Sequence, residues 1–231
     1  MVDQALEILQ EKGQSALIDF LTVQEDVQSM ADTCGKLAMT LYNKEKDIAN
    51  SILVSLLGIR RALESATALA IDEENAETAY QLRSTAKGIA FNLGANMWPG
   101  WNDPGISLSK ESMAVGMEAA HTNLRLGEEL RKEPLPLSRA QWLIGAHEMA
   151  LGNMDAARER FGRASALAES VEAEADNLLC LGYAIMTQLI EEPDNQEMIE
   201  RFKTVKADLA SLEQGEFFIT QLDTALGVFR S

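Results

Sequence analysis

The 231 residues, 46% of them hydrophobic, suffice for a substantial core but not for a large multidomain enzyme. Twenty Lys and Arg stand against 36 Asp and Glu, a formal charge of −16, so nucleic acid and anionic membranes are poor partners and a basic partner is favoured. Ala and Leu make up about a quarter of the chain, with only 5 Pro, which points to an all-α protein.

In chain order, Val2 to Lys12 reads as a short amphipathic helix stopped by Gly13, with neither the basic nor the apolar region of a secretory signal. Thr22-Val23-Gln24-Glu25 has the form of a capping box. Val27, Met30, Cys34, Leu37 and Leu41 then form one helical stripe, and Ile48, Ile52, Leu56, Ile59, Leu63 and Ala66 another. The short joint Asn43–Lys46 makes these an antiparallel hairpin. The apolar run from Ile52 is closed by Arg60-Arg61 after eight residues, too short to span a bilayer.

A helix is predicted from Ala76 to Leu93, ended by Gly94. Residues 95–106, with Trp98-Pro99-Gly100-Trp101-Asn102-Asp103-Pro104-Gly105, cannot be regular helix. Helix resumes near Ser109 and runs to Lys132, where Pro134 and Pro136 break the chain. Ser138-Arg139-Ala140-Gln141 is a second capping box, followed by helix pairs at 139–151 and 154–170, then 173–190 and 195–213. After Gly215 a last helix carries Phe217, Phe218, Leu222, Leu226 and Phe229 on one side. With no obvious linker, residues 1–231 read as one continuous domain.

Ser138 to Val171 resembles a tetratricopeptide (TPR) repeat: Ile144, Gly145, Gly152, Ala157, Phe161 and Ala164 carry the residue types expected at the matching places. Trp142 lies one residue later than the family's aromatic position, Glu148 replaces an aromatic, and Glu169 a proline. Small residues recur in first helices at Gly35, Gly88, Gly145 and Gly182, spaced by 53, 57 and 37 residues, where TPR repeats recur every 34. A second repeat falls at 175–212, and 15–70 and 76–132 are longer, degenerate hairpins. The resemblance implies a right-handed TPR-like stack of antiparallel helical hairpins, an α-α superhelix closed by a C-terminal capping helix.

It also implies that first helices line an inner, concave groove. Arg139, Trp142 and Met149 would line it from one repeat, Tyr183 and Met186 from the next, and Asn92 from an earlier one. Methionine adapts to varied shapes, and Trp and Tyr supply large contact areas, so the expected function is a noncatalytic scaffold binding a peptide or protein segment. Trp98 and Trp101 beside Asn102 and Asp103 offer an alternative, a grip for a small molecule or carbohydrate, unless the loop folds back to seal core. A third alternative is a homodimer through Phe217, Phe218, Leu222 and Phe229.

Catalytic signatures are missing. The sequence holds no HExxH, CxxC, GxxxxGK[ST] or GxSxG, and His121 and His147 have no partner at metal or triad spacing. Glu128-Glu129 and Glu191-Glu192 are adjacent and diverge around a helix. No enzyme activity, metal or cofactor is expected. Cys34 and Cys180 read as reduced core thiols, which fits the cytoplasm.

Overall fold

The computed structural model describes residues 1–213 and 215–230. Among these it is all-helical, with ten α-helices, short 3₁₀ and π turns, and no strand. The chain gathers into two compact units: Met1–Asn96 with Lys110–Leu130, and Met97–Ser109 with the chain from Arg131 onward.

The first unit begins with α1, Val2–Thr22. As expected, Gly13 interrupts the helix, with φ +81° and ψ −177°, a backbone conformation that favours glycine, and a second helical stretch follows across this kink. Ala5, Leu17 and Leu21 from both sides of the kink pack with Met30, Cys34, Leu37, Leu41 and Val54. Helix α2, Val27–Thr40, is capped by Asp26, whose carboxylate accepts the Ser29 N–H at 3.0 Å. The capping box expected at Thr22–Glu25 is therefore not used. Thr22 still belongs to α1 and donates its hydroxyl to the Ile18 carbonyl.

A π turn over Leu41–Glu45 and left-handed Lys46 lead to α3, Ile48–Leu69, capped by Asp47. The buried face of α3 is rotated from the expected stripe. Ser51, Val54, Ser55, Gly58, Ile59, Ala62 and Ala66 are inside, while Leu56 is 46% exposed. Two serines disguised that face; Ser51 satisfies its hydroxyl on the Ala38 carbonyl at 3.0 Å. Helix α4, Ala76–Asn96, continues past the expected stop, with Gly94 buried inside it, and α5 runs over Lys110–Glu129. Helices α2 to α5 pack each on the next.

The second unit contains α6, Pro134–Ala150; α7, Met154–Glu169; α8, Glu174–Glu191; α9, Gln196–Ala210; and α10, Gly215–Phe229. Pro134 starts α6 instead of breaking the chain, because proline at the first helical position sacrifices no hydrogen bond. The box expected at Ser138 is thus wrong. Ser138 lies buried within α6 and donates to the Ala164 carbonyl of α7 at 2.7 Å. Gly152, at φ +81°, turns the chain between these helices. Gly145 and Phe161 set their approach: a Cβ on Gly145 would stand 2.8 Å from the Phe161 ring. Gly182 of α8 receives Leu222 of α10 in the same way, so α10 packs on α8 and α9.

Candidate functional site

The chemistry-bearing side chains of the second unit converge on α6 and α8. Arg139 and Trp142 are three residues apart on α6; Asp176 and Tyr183 are seven apart on α8, so each pair shares a helix face. Arg139 donates from Nε to Asp176 Oδ1 at 2.7 Å and from Nη2 to Oδ2 at 3.3 Å, a two-pronged bond that ties the helices together. The hydrogen bond to Asp176 raises the Arg139 pKa above its ordinary value. Its side chain remains 52% exposed. Deeper in the same unit, the Trp142 and Tyr183 rings meet edge to face at 5.6 Å.

The tryptophan loop belongs to this site. After α4 the chain passes through Met97 and Trp98 into a 3₁₀ turn, Pro99–Trp101, and Asn102 closes it at φ +52°. Asp103-Pro104-Gly105-Ile106 makes a tight turn, with the Ile106 N–H on the Asp103 carbonyl at 3.1 Å and Gly105 at φ +79°. Trp98 is 1% exposed. Its indole N–H donates to the Ala146 carbonyl of α6 at 2.9 Å. Its ring meets Trp101 at 4.9 Å, Trp142 at 5.7 Å, Tyr183 at 6.0 Å and Phe229 of α10 at 6.1 Å. Gly100 is obligatory here, since a Cβ would come within 2.1 Å of the Trp98 ring.

The expected groove residues therefore divide. Trp98, Met149, Tyr183 and Met186 are fully buried, so they are interior rather than the lining of an open trough. For Trp98 and Tyr183 the physical reason lies in the loop, which seats the Trp98 ring against Trp142, Tyr183 and Phe229 of α10. Trp142 is 6% exposed, Trp101 is half-buried and Arg139 is exposed. Asn92, exposed on α4, belongs to the first unit and is not part of this cluster. With its ring enclosed, Trp98 offers no free face on which a sugar could stack. Phe218 and Leu222 are likewise buried within their own unit, and only Phe217 of the expected dimer stripe is widely exposed, at 65%.

The roles of three residues escaped the sequence. Gln221 of α10 donates to the Tyr183 hydroxyl at 3.0 Å, the Ala146 carbonyl receives Trp98, and Gly100 makes room for it. Only Gly100, between Pro99 and Trp101, left a local signal. Burial pushes the Tyr183 phenol well above its ordinary range. Within this cluster the Trp142 indole N–H is buried and has no acceptor.

Cys34 and Cys180 are free and buried, and desolvation pushes each thiol up to about 12. Such thiols are poor nucleophiles at neutral pH. His121 is exposed and His147 buried. Among the described residues no group of three or more His, Cys, Asp and Glu could hold a metal ion, and no helix is long and apolar enough to cross a membrane. Compared with known proteins, the chain matches no family model, and no curated protein aligns with it significantly.

Proposed function

We propose that this protein is a noncatalytic, TPR-like scaffold, an acidic cytoplasmic protein that binds a peptide or protein segment of basic character on the face shared by α6 and α8. One observation carries the proposal. The first helices of two successive hairpins present Arg139 with Asp176 and Trp142 with Tyr183 side by side, as a stack of repeats would require. The contact of Gly145 with Phe161 and the glycine turn at Gly152 support the same repeat geometry. A mixed rim of one ion pair over an aromatic interior suits a peptide, whose backbone needs polar partners and whose side chains need apolar ones.

Site-specific photo-crosslinking in extract of the native cells tests it. A benzophenone amino acid replacing Arg139 is expected to give discrete adducts that the same group at Glu159, exposed on α7, does not. Adducts that are the same from both positions, or none from position 139, would refute the scaffold.

A further inference from the structure

The loop 97–109 is an unusual tenant. It connects α4 to α5, both in the first unit, yet its own residues belong to the second. What it does there is what a bound peptide would do. It buries one large aromatic anchor, caps a backbone carbonyl of α6 with that anchor's N–H, and lays a second tryptophan over Trp142, with ring centroids 6.0 Å apart. Its fit is incomplete in one respect, because the indole N–H of Trp142, whose ring meets both loop tryptophans, is buried without an acceptor. A buried donor left unmatched is costly, and an occupant that supplies an oxygen to it gains accordingly.

We propose that the Trp98–Trp101 loop is a built-in ligand of the α6–α8 face, and that the external partner is a peptide segment of matching chemistry: a tryptophan anchor for the Trp98 pocket and a hydrogen-bond acceptor for Trp142. The proposal deepens the scaffold function above and rests on it. In the closed state the pocket is occupied in cis, so the apparent affinity for a partner falls by the fraction of molecules that are open. Release of the loop then raises affinity without any change in the intrinsic contacts.

The probe is a fluorescein-labelled peptide copying residues 96–107, titrated by polarisation into the full-length protein. Two variants unseat the loop by different means. Trp98→Ala removes the anchor; Gly100→Ala keeps it but sets a Cβ against its ring. Both are expected to bind the peptide at least tenfold tighter than wild type, and a peptide with alanine at the anchor position is expected not to bind. A second peptide replaces the tryptophan equivalent to Trp101 by glutamine, bringing an amide oxygen toward Trp142. It should bind Trp98→Ala about tenfold tighter than the exact copy, and lose that advantage in Trp98→Ala/Trp142→Phe.

If both variants keep wild-type helical circular dichroism and bind no tighter than wild type, the built-in ligand is refuted. Should they fail to fold, amide exchange in the wild type decides. The Asn102 and Ile106 amides, bonded only within the loop, should exchange at least tenfold faster than the interior amides of α6 and α8, and equal rates would overturn the proposal. The two proposals fail separately. Adducts from position 139 that are equal in wild type and Trp98→Ala refute the gate but leave the scaffold standing, whereas no adducts in either refute the scaffold.

Discussion

The two units solve the same packing problem with different materials. In the first, α1 to α3 close on Leu, Met, Ala and Val around Cys34, and small residues such as Ser51 and Gly58 let backbones approach. In the second, all three tryptophans, Tyr183 and Phe161 form one connected aromatic interior. An aliphatic core tolerates shape change because many rotamers fill a given space; interlocked rings do not. The recurring helix glycines show the contrast at single positions. Gly145 faces a ring at 2.8 Å, whereas nothing lies within 4 Å of where a Cβ on Gly88 would stand.

The sharpest way to break that comparison is Gly145→Ala. The added methyl would meet Cε1 and Cδ1 of Phe161 at 2.8 and 2.9 Å, and Phe161 is itself held against Tyr183. Overpacking of this kind costs about 1–3 kcal/mol. Chemical denaturation should show a lower midpoint with an unchanged slope. Gly182→Ala serves as the internal control. Its new methyl meets the tips of Leu222, which can turn aside, so the loss should be smaller.

Each unit also holds one buried thiol, which makes alkaline pH a paired probe. Burial lifts Cys34 and Cys180 from the ordinary 9.0 to about 12, so the folded state holds both protons more tightly than the unfolded chain. The sign follows directly. Stability from each thiol is full below pH 9 and is lost as pH rises from 9 toward 12, by on the order of 1 kcal/mol per thiol at pH 10. Melting followed at pH 8 and pH 10 should show this loss, and Cys34→Ala or Cys180→Ala should each flatten it. A slope that neither variant changes would mean the thiols are not the cause.

How much of this was legible in the sequence depended on how local the cause was. Helix positions followed from periodicity, and the Gly152 turn from a single residue whose φ excludes most others. Helix starts were misread where two local signals competed. Asp26 and Pro134 prevailed over the threonine and serine boxes, because the hydroxyls of Thr22 and Ser138 found carbonyls instead. The site residues were named individually, and the alternative in which the tryptophan loop folds back to seal core is the one realised. Whether Trp142 and Tyr183 line a trough or an interior depends on where a loop from another part of the chain comes to rest. Nothing within reach of α6 or α8 in sequence encodes that.

The smallest expected effect has the opposite sign. Gly88 sits inside α4, exposed, with open space where a side-chain methyl would stand, although its place in a first helix matches that of Gly145 and Gly182. A glycine that admits no close contact contributes only its conformational freedom to the unfolded chain, so Gly88→Ala should stabilise the protein by about 0.5–1 kcal/mol. Thermal melts of this variant beside Gly145→Ala compare the two glycine positions directly. Opposite shifts mean that the small-residue step works as a packing device at Gly145 and is merely tolerated at Gly88. A loss at Gly88 comparable to that at Gly145 would mean that both positions hold helices together.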